Sequence, residues 1–443
     1  MRKLAIQYMP VSRLKPSPRN ARTHSKRQLR QLENSIRANA YVTPLIVDED
    51  DMVIAGHGRL LAAKSMQLES LPVIVLDGLS DIQKRSLMLA DNKIAANAGW
   101  DRETLAKELG ELIVIEDLDI SLTGFETPEI DQILFDYSAD VADQCPETPA
   151  IPISQPGDLW NLGPHRLLCG DARSPADIAT LCGPDLAAMA FLDPPYNVRV
   201  AGIVGRGSVK HEEFAMASGE MAPEQFRAFL ELTLGNAAGV SKDGAVHFVC
   251  MDWRHIEDLM AAGRSTYGKA LNVIAWVKSN GGQGSFYRSQ HELIGVFRVG
   301  QAANVNNVEL GRHGRNRSNV WEYAGVNSFG KGRLDDLKSH PTVKPVAMIV
   351  DAIRDCTKQH DIVLDTFAGS GTTLIASERI GRHARCLEYL PAFVDVAIRR
   401  WQAFTGKDAV HSETGEVFDE MVDRPRSPSE LRSASPDIFA PDS

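Results

Sequence analysis

Between residue 158 and about residue 405, the sequence alternates short apolar segments with longer helix-like segments. This alternation predicts an α/β fold in which helices cover a doubly wound, mainly parallel sheet. The apolar segments that we predict to be strands are 188–192, 245–250, 271–277, 293–299, 362–364 and 384–387. Open sheets of this class bind ligands at the carboxyl ends of their strands, so functional residues are expected directly after these segments.

The chain has 443 residues, which is enough for two or three domains of about 150 residues each. We predict a small α+β domain at residues 1–98, then a helical, acidic connector and linker at 99–152. The α/β domain follows at 153–405, and a disordered tail at 406–443. Long glycine-rich and basic insertions lie within about 199–339 of the α/β domain.

A glycine-rich turn follows the predicted strand at 362–364. Gly369 and Gly371 allow a sharp turn and a close approach of the backbone to a ligand, and Thr372 begins a helix. This order is typical of nucleotide-binding sites, and Glu388, after the next strand, is placed to bind a ribose diol. The Gly-Lys-Ser/Thr ending of a phosphate loop is absent, which favours a phosphate-free cofactor such as S-adenosylmethionine. By itself, the turn also fits a dinucleotide site or a purely structural role.

A second motif, Asp193-Pro194-Pro195-Tyr196, follows the predicted strand at 188–192. The Asp193 carboxylate and the Pro194 carbonyl are two acceptors, and the two prolines make the backbone rigid. These acceptors suit the two N–H groups of an exocyclic amino group on adenine or cytosine, and Tyr196 offers a ring on which such a base stacks. The alternative is a structural turn with a capping aspartate.

The charge distribution indicates a polyanionic partner. The net charge is −10, yet residues 1–40 contain ten lysines and arginines and a single acidic residue, Glu33. Residues 278–317 contain six basic residues and two acidic ones. Two basic surfaces on an acidic protein suit nucleic acid, although solvated faces explain the pattern equally well.

Cysteine spacing and hydropathy exclude other classes. The six cysteines show no CxxC pair, so free thiols in a reducing compartment are expected and no metal site is expected. No apolar run approaches the ~20 residues of a membrane helix, and no secretory signal is recognised.

Three motifs together resemble the amino-group DNA methyltransferases: Asp193 to Tyr196, Phe367 to Gly371, and the segment His340-Pro341-Thr342-Val343-Lys344-Pro345. The base motif precedes the cofactor motif, as in the permuted β group of that family. The resemblance covers residues 153–405. It implies a Rossmann-like S-adenosylmethionine-dependent fold, with Asp193, Pro194, Pro195 and Tyr196 as catalytic residues.

The resemblance also implies the residues that bind S-adenosyl-L-methionine, and the basic segments indicate residues that contact DNA. Those expected at the cofactor are Asp171, His340, Thr342, Lys344, Pro345, Asp365, Phe367, Ala368, Gly369, Gly371, Thr372 and Glu388. Those expected at DNA are Arg59, Lys278, Arg288, Arg312, Arg315 and Arg317.

The implied activity is site-specific methylation of the exocyclic N6 of a flipped-out adenine in double-stranded DNA. The aspartate at the head of the tetrapeptide favours adenine, because cytosine-N4 enzymes more often carry serine there. The alternatives are a cytosine-N4 enzyme, an RNA or protein methyltransferase, and a ParB-like regulatory protein with a vestigial methyltransferase domain. A homodimer, a cognate restriction endonuclease and a place near the nucleoid in a prokaryotic or phage-infected cytoplasm are further expectations.

Three segments near the start of the chain are Val11 to Asn20, Thr43 to Val47, and Gly56 to Arg59 with Ala62 and Ala63. On these segments, residues 8–98 resemble the ParB/sulfiredoxin domain. The apolar runs 45–48 and 52–55 predict a hairpin, Leu71 to Leu76 predicts a strand, and Ser80 is placed to cap a helix. The segment Gly56-His57-Gly58-Arg59 departs from the Gly-Glu-Arg-Arg box of that family, so nucleotide hydrolysis is not expected. The remaining readings are a phosphate contact through Arg59 and the following helix N-terminus, or a scaffold that only packs on the methyltransferase.

Overall fold

The computed structural model describes residues 4–113, 115, 120–125, 129–131, 133–134, 145–146, 148–149, 151–198, 219–278, 286–308, 310, 317–323 and 344–422. The chain forms two compact units, Met1–Ile133 and Leu134–Ser443. Within the described residues, no helix has both the length and the apolar character needed to cross a bilayer.

The first unit is built on a five-stranded sheet with the order β1-β5-β3-β4-β2. Its elements are β1 Ile6–Pro10, β2 Lys15–Pro16, α1 Lys26–Asn39, β3 Leu45–Asp48, β4 Met52–Ala55, α2 His57–Ser65, β5 Ser70–Leu76, α3 Asp81–Asn97 and α4 Arg102–Ile113. The β3–β4 pair is antiparallel, as a hairpin requires. The predicted α+β class of this unit is confirmed.

Local sequence determines the helix ends of the first unit. Ser80 caps α3 through a capping box with Gln83, as predicted. Ser25 caps α1, and no residue of α1 is buried. The core lies between the sheet and α2, where Leu45, Val53 and Leu71 are fully buried. Helix α1 therefore presents most of its basic surface to solvent.

The second unit is built on a ten-stranded sheet with the order β12-β10-β11-β9-β8-β13-β14-β7-β6-β15. Its strands are β6 Leu159–Leu162, β7 His165–Cys169, β8 Ala187–Leu192, β9 Ser241–Met251, β10 Ala270–Val277, β11 His291–Arg298, β12 Val320–Glu322, β13 Ile362–Asp365, β14 His383–Glu388 and β15 Val410–His411. Its helices are α5 Pro175–Cys182, α6 Pro223–Gly239, α7 Ile256–Tyr267, α8 Val346–Cys356, α9 Thr372–Arg379, α10 Pro391–Thr405 and α11 Phe418–Val422.

The sheet is parallel at its centre and antiparallel towards both sides. Strands β9, β8, β13, β14 and β7 run in parallel, whereas β11 and β6 are antiparallel to their neighbours. Helices α5, α6 and α7 cover one face and helices α8, α9 and α10 the other. The predicted α/β class with a doubly wound sheet is confirmed. All six predicted strands of this domain are present, and β6, β7, β12 and β15 were not predicted.

The predicted disordered tail at 406–443 is wrong for its first part. Strand β15 pairs with β6, and Phe418 is fully buried, with its ring centroid 5.3 Å from that of Trp160. Burial of Phe418 stabilises the fold by about 2 kcal/mol or more, and together with the β15–β6 pairing it holds this segment against the core. Residues 423–443 lie outside the described residues.

Candidate active site

Residues of both motifs lie at the carboxyl edge of the parallel strands in the ten-stranded sheet. Five neighbouring parallel strands end at the same edge. Asp193 follows β8, Asp365 ends β13, Glu388 ends β14, and Asp171 follows β7 after one glycine. Strand order, which is not apparent in the sequence, thus places four carboxylates of distant segments along one edge.

The glycine-rich turn closes tightly between β13 and α9. Gly369 and Gly371 have positive φ values of 52° and 78°. A Cβ atom at Gly371 would lie 2.8 Å from the Cβ of Ala397, so α10 leaves no space for a side chain. Below the turn, the buried Arg400 donates to the Ser370 carbonyl at 3.2 Å and to Thr372 Oγ1 at 3.1 Å. The turn is therefore rigid, and the Thr372 hydroxyl is held against Arg400.

Asp365 stabilises the turn from inside. One oxygen accepts from Thr373 Oγ1 at 2.5 Å and the other accepts from the backbone N–H of Phe367 at 3.0 Å. Burial raises the pKa of Asp365 to about 7, and these hydrogen bonds offset only part of that effect. Asp365 thus acts within the loop, below the predicted cofactor position.

Glu388 joins the end of β14 to the glycine turn. Its carboxylate accepts from the Gly369 N–H at 2.8 Å and from the Leu390 N–H at 2.9 Å. Burial raises the pKa of Glu388, and those backbone donors oppose the rise. A carboxylate offers about four acceptor positions, so Glu388 keeps capacity for ligand hydroxyl groups.

Asp171 has a strong partner of its own. Arg173 forms a salt bridge with it at 2.6 Å, and the Asp171 N–H donates to Asp177 at 2.8 Å. Asp171 therefore lies at the predicted edge, but its carboxylate is engaged in this structure by Arg173.

Hydrogen bonds of the next residue, Asn197, hold the Asp193-to-Tyr196 turn in place. Asn197 has a positive φ of 52°, and its side chain accepts from the Gly219 N–H and donates to the Met221 carbonyl at 3.1 and 2.9 Å. Pro194 is buried and Tyr196 is half-buried. The turn therefore presents Asp193 and the tyrosine ring from a fixed backbone.

Five side chains form what we call the Asp193 network: Asp193, Tyr196, Lys278, Glu292 and Lys344. Lys344 Nζ lies 2.8 Å from Asp193 Oδ2, 3.1 Å from Glu292 Oε2 and 3.2 Å from the Tyr196 hydroxyl. The Tyr196 hydroxyl also lies 2.7 Å from Asp193 Oδ1 and 3.0 Å from Glu292 Oε2. Lys278 Nζ contacts Glu292 Oε1 at 2.5 Å.

The pKa values of the network are set by burial and by the opposite charges that lie next to each other. Burial by itself would raise the pKa of Glu292, but Lys344 and Lys278 outweigh it and lower that pKa to about 2. Burial would lower the pKa of Lys344, but the two carboxylates raise it well above its usual range. Burial and the same carboxylates raise the pKa of Tyr196. Lys344 is thus charged and Tyr196 is neutral at physiological pH.

The network gives the surroundings of two residues that the sequence predicted to contact ligands. Lys344 was expected at the cofactor, yet its ammonium lies against Asp193 and Glu292; Pro345, next to it, precedes α8. Lys278 was expected at a DNA phosphate, yet its charge is paired with Glu292 and lies 4.8 Å from the centroid of a Trp276 ring. The sequence offered one weak signal, an acidic residue, Glu292, directly before the predicted apolar strand at 293–299.

The other residues predicted to bind DNA have different surroundings. Arg317 forms salt bridges with Asp351 at 2.9 Å and Asp355 at 3.3 Å, so its charge is compensated within the protein. Arg59 donates to the Thr43 carbonyl at 3.0 Å, and Arg288 is exposed. Arg312, Arg315, His340 and Thr342 lie outside the described residues.

Comparison with protein families assigns three parts of the chain. Residues 187–399 match the DNA methylase family of N6 and N4 enzymes. Residues 1–93 match the ParB N-terminal domain. Residues 103–156 match the ParB-methyltransferase HTH domain, a class that the sequence analysis did not name for the connector.

Individual proteins resemble the two units separately. The ParB-like nuclease domain-containing protein YnaK of Escherichia coli K12 is 48% identical over 83 residues, which are 19% of this chain and 95% of YnaK. The type II methyltransferase M2.MboI of Moraxella bovis is 25% identical over 228 residues, which are 49% of this chain and 81% of M2.MboI. The crystal structure of the M1.HpyAVI–SAM complex matches with a TM-score of 0.40 and 20% identity, covering 53% of this chain and 97% of that chain.

The fold, the two motifs at one sheet edge and the family matches define the class of each domain. Residues 187–399 form a DNA methylase domain of the N6/N4 family, and a ParB-like domain precedes it in the chain.

Proposed function

We propose that this protein transfers a methyl group from S-adenosylmethionine to the exocyclic N6 of a flipped-out adenine at specific sites in double-stranded DNA. The observation that carries the proposal is the Asp193 carboxylate, held at the carboxyl end of β8 with the Pro194 carbonyl beside it in sequence. Each Asp193 oxygen has one protein partner and keeps acceptor capacity for an amino group.

The residues of the glycine turn fit the proposed cofactor. Residues 366–371 contain no lysine or arginine that would neutralise a phosphate, and the Glu388 carboxylate would repel one. Glu388 retains acceptor positions for the two hydroxyls of a ribose. A ligand that has a ribose but no phosphate, such as S-adenosylmethionine, satisfies both conditions. When bound, it supplies an electrophilic methyl group.

The protein's own residues then orient the acceptor base. Asp193 and the Pro194 carbonyl each accept one amino N–H, which holds both N–H groups out of the conjugated plane and localises the nitrogen lone pair for attack on the methyl group. Tyr196 offers its ring as a stacking surface for the base. These acceptors are fixed before the base arrives, so little reorganisation is needed in the transition state.

Adenine is favoured by the aspartate at the head of the tetrapeptide. The amino group and neighbouring ring nitrogen of adenine present the same donor and acceptor pattern as those of cytosine, so Asp193 by itself accepts either base. The test is transfer of labelled methyl groups to duplex DNA, followed by nucleoside analysis. We expect N6-methyladenine; N4-methylcytosine as the sole product would contradict the adenine assignment, and transfer to RNA alone would contradict the DNA assignment.

A further inference from the structure

Lys344 has no hydrogen left for a substrate. An ammonium group has three N–H donors, and Lys344 Nζ has three acceptors within 3.2 Å, on Asp193, Glu292 and Tyr196. Its side chain is only 6% exposed. Lys344 therefore acts on other side chains of the site, while Asp193 and Tyr196 remain the groups that face the base.

The charges of the Asp193 network balance. Asp193 and Glu292 contribute two negative charges, and Lys278 and Lys344 contribute two positive charges. Without Glu292, two lysines would face one carboxylate, and the net positive charge would weaken Asp193 as an acceptor. Without Lys344, two carboxylates would approach the same tyrosine hydroxyl with one cation between them. Removal of either partner thus leaves an uncompensated charge in a poorly hydrated site.

Glu292 reaches both functional groups of the tetrapeptide. It holds Lys344, which contacts Asp193 Oδ2, and it lies within hydrogen-bond distance of the Tyr196 hydroxyl. That hydroxyl has one proton to donate, so Asp193 and Glu292 share it while Lys344 donates to its oxygen. The carboxylate and the stacking ring are therefore oriented by one set of contacts.

We propose that Lys344 and Glu292 are positioning residues for methyl transfer, which fix the Asp193 carboxylate and the Tyr196 ring relative to each other. This inference rests on the proposed function of the same site. It gives Lys344 a role at the acceptor base in place of the cofactor, and it gives Lys278 a role in charge balance in place of a DNA contact.

The experiment compares the wild type with Lys344→Met, Glu292→Gln and the double variant in single-turnover methyl transfer at saturating DNA and S-adenosylmethionine. We expect each single variant to lower the rate constant about tenfold or more, because misplacement of a reacting group by about 1 Å costs up to about 10²-fold. The dissociation constant of S-adenosylmethionine should not change. Lys344→Arg should recover part of the rate, and Lys269→Met, at an exposed lysine outside the network, should behave as wild type.

The double variant separates positioning from stability. It removes one charge of each sign, so its melting temperature should return towards that of the wild type. Its rate constant should stay low, because Asp193 still lacks its partner. Recovery of the rate together with the melting temperature would show a merely structural role and overturn the inference. Weaker cofactor binding by Lys344→Met with an unchanged rate constant would also overturn it.

Two readouts distinguish this inference from the proposed function. Loss of methyl transfer in Asp193→Ala, with full activity in Lys344→Met, would refute the positioning role alone. Absence of transfer by the wild type would refute the proposed function. In that case a crystal structure of Lys344→Met still decides the inference, since an unchanged Asp193 carboxylate and Tyr196 ring would contradict it and a displaced pair would support it.

Discussion

The carboxyl edge of the ten-stranded sheet and helix α1 of the first unit both concentrate ionisable residues, but they use them differently. At the sheet edge, Lys278, Glu292 and Lys344 are paired at short distances, and their side chains are 32%, 16% and 6% exposed. In α1, no residue is buried, and Lys26, Arg30 and Arg37 are exposed. Buried pairs act over a few ångströms and are little affected by salt, whereas exposed charges act over a Debye length of about 8–10 Å and are screened.

This difference explains why basic residues in a sequence do not identify DNA contacts by themselves. Lys278 and Arg317 were predicted from a basic segment, and both are neutralised inside the fold. The exposed bases of α1 remain available for a polyanion. The following predictions test this contrast, from the largest expected effect to the smallest.

Asp193→Ala should reduce methyl transfer by about 10²–10³-fold, because the variant has no preorganised acceptor at the reacting group. The reduction should be the same at low and high salt when DNA is saturating, since the contact is short-ranged. Single-turnover assays at two salt concentrations provide the measurement. Asp408→Ala, at an exposed aspartate, is the matched control; equal activity of the two variants would remove Asp193 from the mechanism.

Gly371→Ala tests the shape of the same edge without changing charge. The positive φ of 78° and the overlap with Ala397 at 2.8 Å should together cost roughly 2–4 kcal/mol of unfolding free energy. We also expect weaker binding of S-adenosylmethionine, measured by calorimetry. Gly406→Ala has a similar φ of 69° and open space around the new methyl group, so it should lose only about 1 kcal/mol and keep cofactor affinity. Equal losses in both variants would contradict the steric argument.

Asp365→Asn should change how stability depends on pH. Burial raises the pKa of Asp365 from 3.8 to about 7, so between these values the folded protein holds a proton that the unfolded chain releases. The wild type should therefore lose stability as pH rises from about 4 to about 7, with no further contribution above that range. The asparagine variant cannot ionise and should lack this component. Urea unfolding of both proteins across that range measures the difference, and parallel curves would contradict the assignment.

Replacement of Lys26, Arg30 and Arg37 together by glutamine should have the smallest effect. We expect duplex DNA to bind roughly tenfold more weakly at low salt, with the salt slope reduced by about 1 for each phosphate that the helix no longer neutralises. The rate constant at saturating DNA should stay unchanged. The control replaces Arg264, Lys269 and Lys358, exposed bases at the amino edge of the large sheet. An unchanged salt slope in the α1 variant would show that this helix does not bind DNA.

The local pattern of apolar and turn-forming residues in the sequence predicted much of the fold. The strands before Asp193 and Asp365 are continuous apolar runs, and such runs between turn residues indicate buried strands. Ser80 and Gln83 encode a helix start in four residues. Strands β6 and β7 escaped prediction because they form a short hairpin in which polar residues interrupt the apolar ones. Strand β15 has two residues, and its partner β6 lies far away in the sequence. Phe418 looked like part of a polar tail because its packing partner, Trp160, is more than two hundred residues away.

By itself, the sequence determined the two motifs, their order and the class of chemistry, because a glycine turn and an Asp-Pro-Pro-Tyr turn act through residues next to each other. Only the tertiary structure decided which charges support that chemistry. Lys278 directly follows β10, Glu292 lies in β11, and Lys344 lies two residues before α8. They meet Asp193 through the strand order and the packing of the helices. The physical reason is that charge pairing depends on distance and burial, and neither can be read from the residue types of a segment.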